Sequence, residues 1–314
     1  MRHTLDHVVP PLDIPTRLDK YVSDVLALFP RSQYDRRAVE ATADGKTAKP
    51  SLKLEGGETL ALSWDDLPEP SFGAEDIPLD VLFEDDVTLV INKPRGMVVH
   101  PAHGNWTGTL AQGLLHRIQN LAEAFEDEDE VRPGIVHRLD KDTTGIIVTA
   151  KTPAALEFLS AQFRERTTEK IYVAVLKGIP KNSSGTVEGY LGRDPRNRQR
   201  FAAVGPSQGK PAVTEWEVLA TASGCSLVKF RPHTGRTHQL RVHSVVLGFP
   251  ILGDPIYARP DVRAPQAPLM LHAAKLSITL PSGARHTFSA PLPADFRTVL
   301  DVLGFPDPRP FGID

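Results

Sequence analysis

The sequence predicts an α+β protein in which strands and helices do not follow a regular order. Short segments rich in β-branched and aromatic residues have the composition of strands, and two longer segments have the apolar spacing of helices. Because the two kinds of segment do not alternate one by one, a doubly wound parallel sheet is not expected. The predicted strands are residues 87–92, 145–150, 171–176, 213–219, 225–231 and 276–280.

The N-terminal residues predict a small separate α/β module. Apolar residues with helical spacing indicate a first helix; they are Leu18, Val22, Val25, Leu26 and Phe29. A second, basic helix is expected at about residues 33–42, with short strands near residues 47–48 and 58–63. An acidic, proline-containing stretch follows and is typical of a linker. The predicted parts are therefore residues 1–64, a linker at 65–78, a large domain at 79–300 and a C-terminal tail at 301–314.

The helices of the large domain are marked by capping residues. Thr152 can cap a helix over residues 152–166, and Pro153 suits its first position. Apolar residues at positions 156, 159 and 163 would line one face of that helix. A further helix is expected over residues 237–247, where Gly248 can end it.

The composition predicts a soluble protein of a reducing compartment. The chain has 314 residues and a single cysteine, Cys225, which excludes a disulfide framework and a cysteine-based zinc site. No apolar run is long enough to cross a bilayer, and the N-terminal residues lack the apolar core of a signal peptide. We therefore expect a cytoplasmic protein without a membrane partner.

Charge is distributed unevenly along the chain. The formal net charge is −3, but residues 131–257 hold 18 Lys and Arg against 10 Asp and Glu. Residues 55–130 hold 3 Lys and Arg against 17 Asp and Glu. A phosphate backbone responds to the local field, so the basic segment is a candidate nucleic-acid interface despite the negative total.

Asp140 is the most informative single residue. It lies in a charged turn between two apolar runs, residues 134–136 and 145–148, with Arg138 and Lys141 beside it. Such a carboxylate either forms the turn or is a catalytic group that cationic neighbours keep ionised. Taken by themselves, these residue types leave both interpretations open.

Residues 132–151 read RPGIVHRLDKDTTGIIVTAK, and this segment is similar to the active-site motif of the RluA-type RNA pseudouridine synthases. Other segments resemble the same family in the same order along the chain; they are residues 92–101, 170–174, 209–214, 234–243, 253–257 and 271–273. The Asp-Thr-Thr-Gly turn at 142–145 and the Val-Val-His-Pro run at 98–101 most resemble the D-type members, which act on large-subunit rRNA.

The resemblance implies a fold and a reaction. The implied fold is a long, bent, largely antiparallel mixed sheet with flanking helices and an active-site cleft across its middle. The implied reaction isomerises uridine to pseudouridine in structured RNA, where the base is cut from C1′, rotated and rejoined through C5. The resemblance implies neither a metal nor a cofactor.

Three residues match the catalytic positions of the family. Asp140 matches the essential aspartate, Arg241 the arginine that pairs with it, and Tyr172 the tyrosine that stacks on the base and is proposed to help remove the C5 proton. Whether Asp140 acts as a nucleophile or abstracts a sugar proton in a glycal route stays open. Substrate-binding roles are implied for Arg138, His137, Leu271, Lys93, Arg236 and Lys210.

For two of these residues, the resemblance implies a specific contact. Leu271 matches the apolar residue that packs against the tyrosine ring and keeps water out. Arg138 matches the arginine that fills the gap left when the uridine leaves the RNA stack. Unstacking a base costs roughly a few kcal/mol, so a group that occupies the gap would offset part of this cost.

The N-terminal module resembles the S4 RNA-binding domain in its Arg-Leu-Asp start at residues 17–19 and its Gly45-Lys46 turn. It departs from that pattern at Ala43-Asp44, where Val-Asn is usual. The basic residues expected to contact RNA are Arg31, Arg36, Arg37 and Lys46. The alternative is a structural cap that makes no RNA contact.

Two other functions compete with this interpretation. His233, His238 and His243 could suggest a zinc hydrolase, but a spacing of five places successive side chains on different faces. A non-catalytic RNA-binding or ribosome-assembly protein would also use the basic segment, but it has no use for a buried carboxylate in the path of an anionic substrate. The expected partner is structured RNA, chiefly 23S rRNA in the 50S subunit or its precursor, with tRNA as the alternative. We expect the chain to act as a monomer.

Overall fold

The computed structural model describes residues 2–29, 31–34, 37–66, 73–101, 104–118, 121–125 and 133–313. Internal contacts divide the chain into two compact units, Met1–Phe72 and Gly73–Asp314. Residues 67–72 of the predicted linker lie outside the described residues. From Gly73 onward the chain belongs to the second unit, where Ile77 and Leu79 pack against an apolar core.

The first unit contains a four-stranded sheet in the order β1-β6-β3-β4 and a two-stranded sheet of β2 and β5, all paired antiparallel. Its helical segments are α1 (Leu18–Lys20), a π-helical turn (Tyr21–Val25) and a 3-10 turn (Arg31–Gln33). Its strands are β1 (Arg2–Val8), β2 (Thr16–Arg17), β3 (Glu40–Ala43), β4 (Lys46–Thr47), β5 (Lys53–Leu54) and β6 (Thr59–Asp65).

Of the two helices predicted for this unit, only the first is present in the described residues. The first one forms, although it is short, and Leu18, Tyr21 and Val22 are buried in the core of the unit. The second, predicted over about residues 33–42, is wrong: in the described residues Arg31–Gln33 is a 3-10 turn and residues 37–38 form a turn. Glu40–Ala43 instead forms β3, whose backbone pairs with β6. Pairing in the sheet overrides the local helical preference of this segment.

The second unit is built on a ten-stranded sheet in the order β12-β11-β13-β14-β10-β15-β9-β8-β7, with β16 added beside β15. All its strand pairs are antiparallel except β9 with β15. The strands are β7 (Val81–Glu84), β8 (Thr88–Lys93), β9 (Thr144–Ala150), β10 (Glu169–Leu176), β11 (Ser184–Asp194), β12 (Asn197–Val204), β13 (Lys210–Ala222), β14 (Cys225–Pro232), β15 (Leu271–Thr279) and β16 (Arg285–Ser289).

Helices flank this sheet, as expected for the α+β class, which the structure confirms. They are α2 (Leu110–Arg117), α3 (Leu121–Ala124), α4 (Pro153–Glu165), α5 (Gln239–Val246), α6 (Ala294–Leu303) and a 3-10 turn (Arg309–Phe311). The predicted cap of α4 is present, since the Thr152 side chain accepts a hydrogen bond from the Ala155 amide. The predicted C-terminal tail needs correction, because Leu303, Phe305 and Ile313 are buried in the main core of the unit.

The central strands carry apolar residues on both faces because both faces are covered. Val173, Val175, Leu227 and Phe230 are fully buried where β10 and β14 lie side by side. Strand β10 therefore has its far end fixed in the core, while its beginning, at Glu169 to Tyr172, is less buried. This gradient places Tyr172 at the edge of the packed region, where a pocket opens.

Candidate active site

Asp140 lies on a short loop that leads into β9. The loop closes when the Thr143 amide donates to the Asp140 carbonyl at 3.1 Å. Strand β9 then runs parallel to β15, with Gly145 opposite Ala273. Gly145 has φ +108°, and a Cβ there would collide with the Ala273 carbonyl oxygen. Glycine at this position therefore allows the close approach that brings Asp140 beside the first residue of β15, Leu271.

Arg241 connects Asp140 to a second, deeper carboxylate. Its Nη1 donates to Asp140 Oδ2 at 3.3 Å. Its Nε and Nη2 donate to the two oxygens of Asp254 at 2.7 and 2.8 Å, a bidentate geometry. The Asp140 side chain is 21% exposed, whereas that of Asp254 is fully buried. Asp254 therefore fixes the orientation of the guanidinium, and the remaining nitrogen is presented to the partly exposed carboxylate of Asp140.

The electrostatics of Arg241 follow from this pairing. Burial works against its charge, but the hydrogen bonds and charge of Asp254, with a smaller contribution from Asp140, raise its pKa above the usual value. Asp254 itself accepts from the amides of Ile256 and Tyr257 at 2.9 and 3.0 Å. The buried carboxylate is thus saturated with donors, and Arg241 stays a cation at any physiological pH.

His238 approaches the same oxygen of Asp140 as Arg241 does. It precedes α5 in a left-handed conformation, with φ 55°, and its Nδ1 hydrogen-bonds the Tyr257 hydroxyl at 2.9 Å. Its Nε2 is 3.8 Å from Asp140 Oδ2. Burial lowers the pKa of His238, and the charge of Asp140 only partly opposes that effect. The ring therefore faces Asp140 mainly as a neutral group.

Tyr172 and Leu271 supply the less polar walls of the same site. They lie on the neighbouring strands β10 and β15, where Tyr172 pairs with Ala273. Leu271 is buried, and Tyr172 is partly buried. Burial, and secondarily the charge of Asp140, raise the pKa of the Tyr172 hydroxyl, so the phenol remains protonated at neutral pH.

These residues line one cavity, here called the Asp140 pocket. Of the residues singled out in the sequence, it contains Asp140, Tyr172, Arg241, Leu271, Arg138 and Arg236. The pocket thus combines one carboxylate, a fixed guanidinium, an aromatic ring and an apolar wall. Such a site can hold a planar polar ring against Tyr172 while the carboxylate faces its attachment point.

A second depression, here called the basic groove, adjoins the Asp140 pocket and shares Arg138, Tyr172 and Arg236 with it. Phe163 of α4 lines it, with the His137 ring stacked on Phe163 at 4.5 Å between centroids. No Asp or Glu among the described residues lines it. The cations that line it are Arg138, Arg164, Arg166, Lys170 and Arg236.

Lys93 requires a correction, because the structure does not allow it the predicted substrate contact. The side chain is fully buried, and its ammonium donates to the carbonyls of Pro94, Met97 and Lys141 at 2.9 to 3.0 Å. Burial lowers the pKa of Lys93 to about 7, although Asp142 and Asp140 oppose this. A lysine in this position fixes the backbone below Asp140 and does not reach the pocket.

Two further predicted residues lie beside the Asp140 pocket and not in it. His137 lines the basic groove, and its Nε2 accepts from the Val148 amide at 3.0 Å. Burial lowers the pKa of His137 to about 3, so it is neutral. Lys210 is exposed at the start of β13 and shares a shallow depression with Arg236.

The basic residues predicted for the first unit are held in different ways. Arg31 donates to Asp19 at 2.7 Å, and Arg37 donates to Gln33 at 2.9 Å while lying over the Phe29 ring. Lys46 is exposed in β4. Arg36 lies outside the described residues.

Sequence reasoning missed the residues that orient the catalytic candidates. Asp254, His238 and Tyr257 have structural partners in the site, but no role in orienting its residues was predicted for them. Asp254 lies in a segment that resembles the family, and a lone aspartate beside Gly253 was its only signal. Gly253 has φ +72°, and a Cβ there would collide with the Pro268 and Ala267 carbonyl oxygens.

The histidines considered for a zinc site have separate partners. His233 contacts Glu215, His238 contacts Tyr257, and His243 contacts Thr214. Within the described ranges, no cluster of three or more His, Cys, Asp or Glu residues could hold a metal ion. In the same part of the chain, no helix has the length and apolar character needed to cross a membrane.

Comparison with known proteins identifies the family. Residues 87–244 match the family described as RNA pseudouridylate synthase. The chain is 40% identical to an RNA pseudouridine synthase of Chlorobaculum parvum, over 96% of this chain and 97% of the relative. It is 39% identical to the ribosomal large subunit pseudouridine synthase D of Borreliella burgdorferi, over 89% of this chain and 87% of that protein.

A solved structure has the same fold. The human protein RNA pseudouridylate synthase domain containing 4 superposes with a TM-score of 0.56 and 29% identity. The match covers 72% of this chain and 93% of the human one. The long, largely antiparallel sheet is therefore the pseudouridine synthase fold that was predicted. This chain belongs to the RNA pseudouridylate synthase family and is an isomerase that acts on RNA.

Proposed function

We propose that this protein converts specific uridines of large-subunit (23S) rRNA to pseudouridine, with Asp140 as the group that acts on the nucleotide. The names of relatives such as the Borreliella burgdorferi protein support the large-subunit rRNA as substrate, within the 50S subunit or its precursor. The single cysteine suits a reducing cytoplasm.

The observation that carries the proposal is the arrangement Asp140–Arg241–Asp254. Arg241 is 3.3 Å from Asp140 and is held from behind by the fully buried Asp254. By its hydrogen bond, a guanidinium in this position stabilises the placement of the Asp140 carboxylate, which both the nucleophilic and the glycal route use. Because Asp254 fixes Arg241, that stabilisation is present before the substrate arrives.

The remaining pocket residues supply binding and exclusion of water. Tyr172 offers a ring on which the free uracil can rest while it turns, and Leu271 closes the wall beside it. Because its pKa is raised, the Tyr172 hydroxyl is a hydrogen-bond donor in the resting enzyme. Its part in C5 deprotonation would therefore require an acceptor nearby, and Asp140 is the carboxylate of the same pocket.

RNA binding is assigned to the basic groove. Its five cations and its lack of carboxylates among the described residues suit a phosphodiester backbone. The groove adjoins the Asp140 pocket through Arg138 and Arg236. A strand lying in the groove could therefore deliver an unstacked nucleotide to Asp140, and Arg138, exposed at the junction, is placed to occupy the gap in the stack.

Substitution of Asp140 by Asn tests the proposal. The variant keeps the size and most hydrogen bonds of the side chain, so RNA affinity should change by less than about 1 kcal/mol, because phosphate contacts dominate affinity. Pseudouridine formation should be lost completely. Pseudouridines would be mapped in rRNA and tRNA from cells with the wild-type gene, the Asp140→Asn gene and no gene. Sites lost only in tRNA would overturn the rRNA assignment, and turnover by the variant would overturn the role of Asp140.

A further inference from the structure

The turn at residues 93–96 lies outside the Asp140 pocket, yet it holds the loop that carries Asp140. Lys93 Nζ and the Gly96 amide both donate to the Lys141 carbonyl at 3.0 Å. Arg95 Nη1 donates to the Asp142 carbonyl at 2.8 Å. The two carbonyls that directly follow Asp140 are therefore both fixed from this one turn.

Arg95 also ties two other segments to that loop. The same Nη1 donates to the Leu269 carbonyl at 2.7 Å, and Nε donates to Asp295 Oδ2 at 2.8 Å. Leu269 lies two residues before Leu271, whose amide donates to the Leu269 carbonyl at 2.9 Å. Asp295 lies in the first turn of α6, where a carboxylate is favoured by the helix dipole. One guanidinium thus joins the Asp140 loop, the segment before the apolar wall and a flanking helix.

We infer that Arg95 is a positioning residue for the isomerisation, which sets the separation between Asp140 and the wall at Leu271 without touching the nucleotide. Arg95 does not line the Asp140 pocket. Its guanidinium is suited to the task because several donors are held in one rigid plane, which a lysine does not provide. The inference rests on the proposed role of Asp140.

The kinetic consequence follows from the geometry of the reaction. Asp140 must meet an atom of a nucleotide that is itself pressed against Tyr172 and Leu271, so the two sides of the pocket must keep their distance. A displacement of about 1 Å between reacting groups can lower the rate by about 100-fold. The contacts with phosphates, in contrast, lie on other residues and do not depend on this distance.

The test compares Arg95→Met and Arg95→Lys with a matched control, Arg263→Met. Like Arg95, Arg263 binds a carboxylate, that of Asp261, and backbone, in this case the single carbonyl of Ser223, but it lines neither the pocket nor the groove. Single-turnover rates on saturating rRNA, RNA dissociation constants and melting temperatures would be measured for all three. We expect Arg95→Met to lose about 100-fold in rate with less than about threefold change in RNA affinity.

The other variants decide between positioning and general stability. Arg95→Lys keeps one donor and should recover part of the rate, whereas Arg263→Met should lower the melting temperature and leave the rate unchanged. Equal rates for folded Arg95→Met and wild type would overturn the inference. A rate loss explained by weaker RNA binding, or an equal loss in Arg263→Met, would also overturn it. The wild-type enzyme and Asp140→Asn are measured in parallel. Failure of the proposed function would appear in these two proteins, as an inactive wild type or an active Asn variant, and not in the Arg95 variants.

Discussion

The Asp140 pocket and the basic groove share Arg138, Tyr172 and Arg236, but their charged groups are arranged differently. In the pocket, the carboxylate of Asp140 faces a guanidinium that a second carboxylate, Asp254, already holds. In the groove, five cations meet no lining carboxylate in the described part of the chain. The carboxylate of the pocket therefore has its guanidinium partner before RNA binds, whereas the cations of the groove are available to an incoming anion.

Because of this difference, we expect different residues to determine the reaction rate and the RNA affinity. A pocket whose charges are already paired gains little from a passing phosphate, but it holds its reactive carboxylate in a fixed place. A groove lined by cations, of which Arg164 also pairs with Glu157, binds any RNA backbone and releases counterions when it does so. Substitutions in the pocket should therefore change the rate, and substitutions in the groove should change affinity and its salt dependence.

The largest effect is expected for Asp254→Asn. The substitution leaves Arg241 as a buried cation whose bidentate partner is gone, and it should lower the free energy of unfolding by about 3–5 kcal/mol. Turnover should also be lost at temperatures where the variant is folded, because the guanidinium is no longer aimed at Asp140. Urea unfolding and single-turnover kinetics would measure the two effects separately.

Asp261→Asn is the matched control for this substitution. Asp261 is also a buried partner of an arginine, Arg263, with two hydrogen bonds to its guanidinium. The Asp261→Asn variant should have a lower free energy of unfolding than the wild type and an unchanged turnover rate. Normal turnover by folded Asp254→Asn would show that the pocket does not depend on a prearranged Arg241.

The particular residues show what the sequence could and could not predict. Helix α4 was predicted to within one residue at each end, because Thr152 and Pro153 are local signals for a helix start. Residues 40–42 were misassigned, because their partner strand β6 lies about 20 positions away and a local pattern does not contain it.

For the residues of the site, too, some features could be predicted from the sequence and others could not. Asp140, Tyr172, Arg241 and Leu271 lie on four separate elements, and only the resemblance to a family predicted that they would meet. Lys93 was misassigned because the family segment in which it lies implied a substrate contact, and the sequence does not show that its side chain is buried. Its burial depends on three carbonyls that become available only when the 93–97 turn and the Asp140 loop have folded. Arg95 was unassigned for the same reason.

Acidic pH should weaken folding through three histidines: His137, which is partly buried, and His243 and His272, which are buried. Burial lowers the pKa of His137 to about 3 and those of His243 and His272 to about 4. The unfolded chain, with histidine pKa values of about 6.5, takes up protons that the folded chain cannot. Stability from this source is therefore complete only well above the unfolded pKa of about 6.5, and it is lost progressively as the pH falls through this value to about 4.

The size of this effect can be stated for the first pH unit. From pH 7 to pH 6, the free energy of unfolding should fall by about 0.7 kcal/mol for each histidine, or about 2 kcal/mol for the three. Chemical denaturation at both pH values would measure it, and His243→Asn should reduce the change by about a third. RNA affinity of the folded protein should not weaken over this range, because the groove contains Arg and Lys that stay protonated. A stability that is flat between these pH values would contradict the buried, neutral state of the histidines.

A smaller effect is expected from the outer part of the groove. Arg166→Gln combined with Lys170→Gln removes two cations that line the groove but not the pocket. Each lost phosphate contact should lower the slope of log affinity against log salt by about 0.7 to 0.9, which corresponds to roughly fivefold weaker binding at physiological salt. The single-turnover rate at saturating RNA should be unchanged.

Arg259→Gln is the control for the groove variant. Arg259 is exposed, and its carbonyl accepts a hydrogen bond from Lys177. Lys177 directly follows the last residue of β10, whereas Lys170 lies near the first residue of that strand. Arg259→Gln therefore removes a positive charge from a surface outside the groove, so the slope of log affinity against log salt should stay at the wild-type value. Equal slopes for the groove variant and this control would mean that RNA follows another path.

The smallest effect concerns the first unit, whose S4-like role in RNA binding we propose on the basis of its exposed lysines. Lys46 is exposed in β4, whereas the Arg31 guanidinium is already bound to Asp19, together with Arg17. Lys46→Gln should therefore lower the salt slope by at most about 0.7 to 0.9, and Arg31→Gln by less, since its charge is largely matched within the protein. Neither change should affect the single-turnover rate, because the chemistry lies in the second unit. Filter-binding titrations across a series of salt concentrations would measure both slopes. If Lys46→Gln binds rRNA as tightly as wild type with the same slope, this lysine makes no phosphate contact, and the unit is better described as a structural cap.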